Sequence, residues 1–522
     1  MYSVSYCTAV MGIDGCIIQV EADVSDGLPS FSLVGFLSSE VKEAKERVHI
    51  GIRNAGFLLP PKRITVNLSP ADIRKEGTGY DLAIAVSILA AFGYIPDTML
   101  KESVFIGELR LEGTIKGVNG VLPMVYTAYE QGMKYCFVPM ENVREASLVE
   151  HIEVIGVYHL KEVVSLLQSN TIPKQQKVIE ECLDAAETKQ PDFADVNGQE
   201  VVRRAVEVAV AGMHNLLMIG PPGSGKTMIA KRIPGIMPDL CFEEQMEISK
   251  VYSVAGLLSS EQPLITKRPF RAPHHTITQT ALVGGGRTPK PGEVSLASGG
   301  VLFLDELAEF QRSSIEVLRQ PLEDGYIYVS RLDGSYRYPA HCQLVAATNP
   351  CRCGFFPDRK KCRCTPRQIQ NYLGKISQPM LERMDICVET FLPTYTDLQG
   401  GNAAKKPESS AQIRQRIKQA QSIQKKRYER EDIFYNAHLL PDQIKKYCVV
   451  SKEGKDYIKE VFDKQNFSAR VYHKILKVAR TIADLEGAEE ITITHIAEAV
   501  CYRGIDQKYW TVLSASLEEQ VW

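Results

Sequence analysis

The chain has 522 residues, which allows about three domains at the usual ~100–200 residues each. Hydrophobic residues at 44% and charged residues at 24% describe an ordinary soluble protein. The net charge of −2 excludes a global attraction to nucleic acid, so any affinity for DNA must come from local basic patches. No apolar run approaches the ~20 residues that span a bilayer, and the N-terminus lacks a secretion signal, so we expect a cytoplasmic protein without membrane contact.

Residues 1 to about 170 alternate strand-like and helical segments. We predict strands at 64–68, 103–109 and 135–140 and helices at 38–56 and 81–93. This alternation predicts an α+β or α/β domain of modest size. Residues 171–195 are polar, mix charges and contain two prolines, which predicts a linker with at most one short helix.

The sequence at 67–91, followed by 107–139, resembles the proteolytic domain of Lon proteases. The resemblance puts the catalytic serine of that family near Gly79 and its catalytic lysine near Met124. A Ser-Lys dyad needs a hydroxyl nucleophile and an amine base within hydrogen-bond reach. Neither residue supplies such a group, so no proteolytic centre is expected at these positions.

A second pair could form the dyad if that alignment is displaced. Ser87 and Lys116 are the residues that this alternative would use. We favour the first alignment and interpret residues 1–170 as a Lon-protease-like α+β domain without its dyad. Such a domain would be retained for scaffolding, assembly or nucleic-acid contact.

An amphipathic helix is predicted at 196–213, and it leads into an apolar strand and a glycine loop. The loop and the start of the next helix read G-x-x-x-x-G-K-T. Its backbone N–H groups would converge on phosphate oxygens, its lysine would reach the β- and γ-phosphates, and its threonine would hold Mg²⁺. The alternative is a glycine-rich turn that matches by chance, but the flanking strand and helix favour a nucleotide site. The predicted phosphate-binding residues are Gly220, Pro221, Pro222, Gly223, Ser224, Gly225, Lys226 and Thr227.

Two further apolar strands end in polar side chains that would complete this site. Residues 301–306 read VLFLDE, a buried strand followed by two carboxylates. We expect Asp305 to hold Mg²⁺ through water and Glu306 to act as general base on the attacking water. The strand at 343–347 is followed by Asn349, whose side chain can orient the water or the γ-phosphate. These elements predict an ATPase with ATP and Mg²⁺ as its cofactors.

A long polar insertion separates the two nucleotide motifs. Its basic and histidine side chains are Arg268, Arg271, His274, His275 and Arg287. Two adjacent histidines can suggest a metal site, but neighbours in a strand point opposite ways and neighbours in a loop rarely chelate together. We therefore favour a mobile loop that faces a ring pore or a neighbouring subunit.

A second insertion, at 326–339, alternates around Asp333-Gly334. This dipeptide between β-prone runs predicts a hairpin. An aromatic residue between arginines suits stacking on bases and contact with phosphate, although an ordinary solvated hairpin explains the local sequence equally well. The side chains that we expect on its exposed face are Arg331, Tyr336 and Arg337.

Four of the thirteen cysteines lie close together in one basic loop and form a C-x-C-x8-C-x-C array. Four thiols so spaced can close tetrahedrally on Zn²⁺, and the basic neighbours would favour their thiolate form. The alternative is a set of reduced thiols without metal, while a disulfide is disfavoured in the cytoplasm. The predicted zinc ligands are Cys351, Cys353, Cys362 and Cys364.

Five long stretches resemble the magnesium-chelatase-like group of AAA+ ATPases, and within it the ComM/YifB family of bacterial proteins. These stretches are 267–286, 291–310, 346–354, 377–385 and 479–486. The similarity covers nearly the whole chain. It implies an α/β fold in which a P-loop AAA+ core with a parallel sheet and flanking helices occupies 196–395. The core would include the two insertions and the four-cysteine loop, and a helical lid would follow at 396–522.

The same resemblance assigns two arginines. Arg383, in the sequence PMLERMD, matches the arginine finger that reaches the γ-phosphate held by the next subunit, so one subunit would be an incomplete enzyme. The sequence departs from the family nearby, because Gln378, Met380 and Glu382 stand where Gly, Leu and Asp are usual. Arg470 matches the lid arginine that touches the γ-phosphate of its own nucleotide. A surface arginine and a helix-face charge are the respective alternatives.

The region after about residue 400 becomes polar and then helical. Seven of the nineteen residues at 412–430 are basic. Such a run is typical of a solvated helix face, with DNA contact as the alternative.

The resemblance implies an ATP-driven DNA motor of the ComM type. It would be a homo-oligomer, a hexameric ring, with helicase or branch-migration activity on branched or single-stranded DNA during recombination of incoming DNA in natural transformation. The alternatives are a magnesium-chelatase-type motor, a protein-remodelling AAA+ ATPase and a Lon-like protease. A non-catalytic scaffold is opposed by the intact Lys226, Asp305, Glu306 and Arg383.

Overall fold

The computed structural model describes eight segments of the chain: residues 1–169, 191–259, 261–286, 288–331, 334–393, 407–431, 433–465 and 467–511. Three parts follow one another in these segments: a seven-stranded mixed sheet with helices, a five-stranded parallel sheet with helices, and a set of C-terminal helices. This arrangement confirms the predicted α/β class. Some predicted features lie outside the described residues, namely most of the linker, Arg287, Asp333 and the polar segment at 400–406.

The strands of the N-terminal sheet and its small hairpin are β1 Tyr2–Met11, β2 Asp14–Ser25, β3 Ser30–Val34, β4 Arg63–Ser69, β5 Ser103–Phe105, β6 Glu108–Leu109, β7 Ile115–Lys116, β8 Tyr135–Pro139 and β9 Glu153–Val157. The later strands are β10 Leu216–Ile219, β11 Phe270–Arg271, β12 Gly284–Gly285, β13 Lys290–Pro291, β14 Val301–Leu304, β15 Tyr326–Arg331, β16 Gly334–Pro339, β17 Gln343–Thr348 and β18 Ile386–Glu389.

The helices up to the four-cysteine loop are α1 Ser39–Asn54, α2 Asp81–Ala91, α3 Val121–Glu130, α4 Val143–Ala146, α5 Leu160–Ser169, α6 Glu200–Gly212, α7 Lys226–Ala230, α8 Ile233–Ile236, α9 Phe242–Ala255, α10 Gln279–Val283, α11 Glu293–Leu296, α12 Arg312–Glu316 and α13 Arg319–Asp324. The later helices are α14 Pro366–Leu373, α15 Gln378–Leu381, α16 Ser410–Arg427, α17 Pro441–Tyr447, α18 Lys452–Gln465, α19 Ala469–Leu485, α20 Ile493–Cys501 and α21 Gly504–Asp506. No helix in the described part of the chain is long and apolar enough to cross a membrane.

The N-terminal sheet has the strand order β3-β4-β2-β1-β5-β8-β9. Strand β1 pairs antiparallel with β2 over the whole length of β1, and β5, β8 and β9 continue the sheet in parallel. Helix α1 begins after Ser38, whose hydroxyl accepts the backbone N–H of Val41 at 3.4 Å. Helix α2 is buried along nearly its whole length, as its apolar sequence requires.

The single strand predicted over 103–109 is wrong, because the chain leaves the sheet after Phe105. Gly107 has a φ of +157°, which L side chains rarely adopt. Its N–H donates to Gly79 O at 3.0 Å, and its carbonyl accepts the N–H of Leu82 at 3.1 Å. The backbone at Gly107 therefore bonds to the start of α2 instead of a neighbouring strand.

The five-stranded sheet has the order β11-β14-β17-β10-β18, and every pair in it is parallel. Strands β10, β14 and β17 are apolar without alternation because both faces of the sheet are covered. The carboxyl ends of parallel strands meet at one edge, and the candidate active site lies there. The helix predicted from 196 begins instead at Glu200, because Gln199 has a left-handed φ of +57°.

The hairpin at 326–339 forms, but its turn and one exposed residue differ from the prediction. The ladder pairs Arg331 with Gly334, so Gly334 belongs to the second strand rather than to the turn. Tyr336 pairs with Val329 on the face that packs on the core and is half-buried there. Arg337 is exposed on the opposite face, with its guanidinium 4.4 Å from the ring centre of Tyr326.

The N-terminal part contacts the nucleotide part through α9 and through the hairpin. Ser253 Oγ on α9 donates to Glu145 Oε1 at 2.5 Å, and Lys250 Nζ lies 3.3 Å from the centre of the Tyr126 ring. The β1–β2 turn also reaches the hairpin, because a Cβ on Gly12 would lie 2.9 Å from the carbonyl oxygen of Arg337. The base of the hairpin is therefore part of this contact.

The basic run at 412–430 falls mostly on α16, and the predicted solvated face is present only in part. Four of its seven cations form ion pairs with carboxylates, while Lys425, Lys426 and Arg430 are exposed. Arg416 binds Glu207 at 2.5 Å and Glu408 at 2.8 Å, and Lys418 binds Asp239 at 2.7 Å. Arg414 also lies 3.6 Å from Asp239, and Arg427 forms an ion pair of 2.5 Å with Asp484. These charges attach α16 to its neighbouring elements.

Candidate active site

The predicted phosphate loop follows β10 and ends where α7 begins at Lys226. Gly223 and Gly225 have φ values of +78° and +86°, the left-handed region that glycine tolerates best. A Cβ on Gly220 would overlap the Oγ1 of Thr390, so the first glycine is required by packing. Glycine at these positions leaves the loop backbone uncovered for phosphate.

Lys226 connects the loop to the tip of β17. Its Nζ donates to Gly220 O at 2.8 Å, to Pro221 O at 2.9 Å and to Asn349 Oδ1 at 3.2 Å. Burial lowers the pKa of Lys226 to about 8, and the negative charges of Asp305 and Glu306 oppose that shift. The lysine therefore lies at the position that the motif requires, and it contacts the predicted asparagine.

Thr227 and Asp305 are in direct contact although 78 residues separate them. Thr227 Oγ1 donates to Asp305 Oδ2 at 2.6 Å, and the other carboxylate oxygen accepts the N–H of Glu306 at 2.9 Å. A hydroxyl and a carboxylate side by side are suitable ligands for Mg²⁺, directly or through water. The two residues therefore fit the predicted metal.

Glu306 lies beside Asp305 with a left-handed φ of +52° and a side chain that is 56% exposed. Its Oε2 is 3.6 Å from Nδ1 of His275, a contact that the sequence analysis missed. His275 follows β11, which pairs with β14, the strand that precedes Glu306. The order of the strands therefore explains the contact between His275 and Glu306, which the local sequence does not indicate. The two histidines lie with ring centres 4.0 Å apart, and they belong to no cluster of metal-binding side chains among the described residues.

The first insertion is anchored at its two described arginines, and the mobility predicted for the rest of the loop stays a prediction. Arg268 donates to Pro238 O at 2.5 Å and to Gly299 O at 2.7 Å. Arg271 forms a bidentate pair with Glu293 at 2.6 and 2.7 Å. Both guanidiniums are used to hold the chain in place.

Arg383 lies at the opposite edge of the sheet from the phosphate loop. It precedes β18, whose first residue, Ile386, pairs with Leu216 at the start of β10. The guanidinium donates to Arg319 O at 3.1 Å and to Pro379 O at 2.8 Å, and it forms an ion pair of 2.8 Å with Glu323. This side chain is only 8% exposed, so it is not a plain surface arginine.

Arg470 is not near the phosphate loop of its own chain, and the predicted contact with its own nucleotide is wrong. Its guanidinium lies 3.4 Å from Glu323 and 3.3 Å from Glu382. Helix α19 packs along the segment before β18, where Lys474 on the same helix binds Asp385 at 2.6 Å. This packing puts Arg470 beside Arg383, with Glu323 shared between them.

The four predicted zinc ligands come together in one cluster. Their sulfur atoms all lie within 4.8 Å of one another, with separations of 3.3 Å (Cys351–Cys353), 3.8 Å (Cys351–Cys362) and 3.6 Å (Cys353–Cys362). Tetrahedral Zn²⁺ with bonds of about 2.3 Å needs sulfur separations of about 3.8 Å. The donor set and its spacing therefore fit Zn²⁺.

The four-cysteine loop packs directly on the phosphate loop. Gly354 has a φ of +83°, and a Cβ there would collide with the ring of Pro222. The loop also starts two residues after Asn349, at the tip of β17. Its conformation is therefore connected to the nucleotide site through one packing contact and through the short chain segment after Asn349.

Exposed apolar side chains beside the phosphate loop were not predicted. Val201, Phe391 and Leu392 are 64%, 61% and 44% exposed, and Leu392 Cδ2 would lie 3.9 Å from a Cβ on Gly223. Gln199 joins this surface by donating to Phe391 O and accepting its N–H. These residues could cover a flat base next to bound phosphates, but no local pattern distinguishes them from surface residues.

The two Lon-like positions also come together. A Cβ on Gly79 would lie 4.0 Å from Met124 Cε and 3.9 Å from Val118. The alternative dyad is wrong, because Ser87 Oγ donates to Val20 O at 2.8 Å while Lys116 faces Glu108 at 3.9 Å. Gly79 and Met124 are therefore neighbours, and neither offers a nucleophile or a base.

Three family descriptions match parts of the chain. Magnesium chelatase, subunit ChlI, matches residues 192–398; the subunit ChlI of Mg-chelatase matches 20–142; and the C-terminal part of that subunit matches 407–503. The first match includes the phosphate loop, both carboxylates, the four cysteines and Arg383.

Two of the similar proteins match nearly the whole chain, and a third matches about a quarter of it. Competence protein ComM of Haemophilus influenzae is 40% identical over 507 residues, 96% of this chain and 97% of that protein. Protein YifB of Escherichia coli is 40% identical over 505 residues, 97% of each chain. Lon protease 2 of Bacillus subtilis is 30% identical over 141 residues, which are 27% of this chain and 25% of that protease. The chain therefore belongs to the ComM/YifB family of magnesium-chelatase-like AAA+ ATPases.

Proposed function

We propose that this protein is an ATP-driven motor that assembles into a ring, a hexamer, and moves branched or single-stranded DNA. The observation that carries the proposal is the convergence of Lys226, Thr227, Asp305 and Asn349 at one edge of the five-stranded sheet. In this proposal 1–170 is a scaffold domain, 171–195 a linker, 196–395 the motor core and 396–522 the lid.

Each side chain of the site has a separate role in hydrolysis. Lys226 would exchange its carbonyl and amide partners for the β- and γ-phosphates, because no carboxylate among the described residues forms an ion pair with it. Thr227 and Asp305 would hold Mg²⁺, which neutralises phosphate charge when it is bound. Glu306 would take a proton from the attacking water, and Asn349 would orient that water or the γ-phosphate.

A second copy of the chain would complete the site. Arg383 and Arg470 lie together at the amino edge of the sheet, far from the phosphate loop of their own chain. In a ring this edge can face the phosphate loop of a neighbour, and both guanidiniums could then reach the γ-phosphate in trans. Glu323 would release them when the phosphate offers a stronger negative charge.

The DNA part of the proposal rests on family membership and on the hairpin. ComM is called a competence protein, and this name is consistent with work on incoming DNA in the relative. Arg331 and Arg337 are both exposed on the hairpin and offer positive charge without a pattern for reading bases. They would contact phosphates in the pore of the ring.

The family description supports a second candidate. A magnesium-chelatase-type or protein-remodelling motor would use the same nucleotide site on a protein partner. The two candidates differ in what stimulates hydrolysis, because only the DNA motor responds to DNA alone.

We also propose Zn²⁺ as a structural cofactor of the four-cysteine loop. The cluster offers four sulfur ligands at tetrahedral spacing, with Cys351 and Cys362 buried. When bound, the metal would fix the loop against Pro222.

The test is the rate of ATP hydrolysis with and without single-stranded, duplex, forked and four-way DNA. We expect at least one branched or single-stranded DNA to raise the rate several-fold in wild type and not in Lys226→Ala. Basal hydrolysis that no DNA changes would reject the DNA motor and favour protein remodelling.

A further inference from the structure

The four-cysteine loop, together with the first turn of α14, carries charge that the nucleotide site does not use. Its single described carboxylate, Asp358, accepts the backbone N–H of Lys360 at 3.0 Å. Its basic side chains are Arg352, Arg359, Lys360, Lys361, Arg363 and Arg367, and all six residues are exposed. We call these six residues the basic knuckle.

The basic knuckle differs from the basic helix α16. Most cations of α16 form ion pairs with carboxylates such as Glu207, Asp239 and Asp484, whereas Lys425 and Lys426 in its last turn are exposed without an ion pair among the described residues. In the described part of the chain, no carboxylate lies within 4.0 Å of a basic-knuckle cation. The repulsion among these six positive charges is therefore not offset by ion pairs within the described residues.

The loop backbone presents these charges from a fixed base. Cys351 and Cys362 are buried, and the N–H of Cys362 donates to Asp358 O at 2.8 Å. Gly354 rests on the ring of Pro222. Between these anchors all six basic residues are exposed, although the guanidinium of Arg359 also donates to Cys364 O at 3.3 Å and lies 5.1 Å from the centre of the Phe356 ring.

We propose that the basic knuckle binds the phosphate backbone of nucleic acid next to the phosphate loop, an inference that rests on the proposed DNA motor. A run of like cations without carboxylate partners fits a continuous polyanion, and DNA carries one charge per ~1.7 Å of duplex. The aromatic residues of the loop, Phe355 and Phe356, are half-buried, so they offer no exposed platform for stacking. Binding is therefore independent of sequence and made through phosphates.

The location gives this contact a consequence for hydrolysis. The knuckle lies on the loop that touches Pro222 and starts beside Asn349. Pro222 follows Gly220 and Pro221, whose carbonyls accept from Lys226, so a strand bound at the knuckle would act on the segment that holds this lysine. DNA bound at the knuckle is thus coupled to the ATP site through the loop, in addition to any contact in the ring pore.

The test compares two variants of the full-length protein. In the knuckle variant, Arg359, Lys360, Lys361 and Arg363 are all changed to Gln. In the control variant, Lys452, Lys455 and Lys459 are changed to Gln; these exposed cations on α18 alternate with carboxylates. Binding of a labelled 30-nucleotide strand and of a 30-base-pair duplex is measured over a range of salt concentrations, and metal content and thermal unfolding check the fold.

The knuckle variant should bind both DNAs at least tenfold more weakly near 0.1 M salt. Its slope of log affinity against log salt should be smaller by about 3, since four fewer phosphates are neutralised at ~0.7–0.9 each. The control variant should match wild type. If the four substitutions release the metal or unfold the loop, Lys360→Gln with Lys361→Gln should still lower the slope by about 1.5.

Three outcomes would overturn the inference. Equal affinity and slope in the knuckle variant and wild type would reject the knuckle while leaving the DNA motor intact. Unchanged affinity with loss of the oligomer in sedimentation would make the knuckle a contact between copies of the chain. Failure of wild type to bind any DNA would reject the proposed function itself.

Discussion

The nucleotide site and the Lon-like position make an instructive comparison within one chain. In the first, four polar side chains from three distant segments meet within hydrogen-bond distance. In the second, Gly79 and Met124 also meet, but neither offers a hydroxyl or an amine. The difference shows that packing can bring two positions together without supplying reactive groups. The reaction that a site can catalyse depends on its side chains, and the fold alone does not determine it.

The largest expected effect is on the first of these sites. Lys226→Ala should abolish ATP binding and turnover, because the lysine neutralises phosphate charge in the ground state. Glu306→Gln should still bind ATP and hydrolyse it at least ~10²-fold more slowly, because this residue acts only on the attacking water. Nucleotide binding and single-turnover rates measured side by side would check the difference. Equal loss of binding in both variants would contradict these assignments.

Arg383→Ala should fold, bind nucleotide and lose hydrolysis by roughly 10³-fold, as trans arginine fingers do. The contact with Glu323 would be lost too, so thermal unfolding is the control for folding. Mixing inactive Arg383→Ala with inactive Lys226→Ala subunits should restore part of the activity in mixed rings. A mixture as inactive as its components would mean that the arginine serves only its own subunit.

Loss of zinc from the four-cysteine loop should weaken ATP binding and hydrolysis less than the changes above, because the loop packs on the nucleotide site and supplies none of its phosphate-binding groups. Wild-type protein should contain about one zinc per chain, and Cys362→Ser with Cys364→Ser should release it. We expect weaker ATP binding as well, because the loop rests on Pro222. Elemental analysis and X-ray absorption measure the metal, with Cys448→Ser, a buried cysteine outside the cluster, as control. If protein purified without chelator contains no metal, the proposed zinc site is wrong.

The smallest effect is expected at the Lon-like position. Gly79→Ser should fold and leave ATP hydrolysis within about twofold of wild type, because a Cβ there makes only ordinary contacts. It should release no peptides from casein, since Val118 and Met124 beside it provide no base. Peptide release by this variant would contradict the absence of a base beside Gly79.

The sequence predicted the parts that depend on local patterns. Each part of the nucleotide site follows an apolar strand: the phosphate loop, the two carboxylates and Asn349. The carboxyl ends of parallel strands lie at the same edge of a sheet, so these parts were expected to lie together. The four cysteines were also predictable, since two short spacings and a tight loop leave few other arrangements. The fold class followed from the same alternation of strands and helices.

The wrong predictions concern packing between distant segments. Periodicity predicts that α19 is a helix, but it does not say which edge of the sheet the helix covers, and Arg470 was therefore assigned to the wrong site. The partners of the α16 cations, such as Glu207, lie about 200 residues away in sequence. Gln199 adopts a left-handed φ, and at Gly107 the chain leaves the N-terminal sheet. Both features depend on contacts with other segments, which the propensities of single residues do not predict.

The most direct test of the central claim is the movement of DNA by this protein. A labelled four-way junction should be converted to its duplex products by wild-type protein with ATP and Mg²⁺, and affinity for the junction should fall steeply with salt. Lys226→Ala and Glu306→Gln should both leave the junction unaltered, which would tie the movement to hydrolysis. Junctions that wild-type protein leaves intact while it hydrolyses ATP would contradict the account.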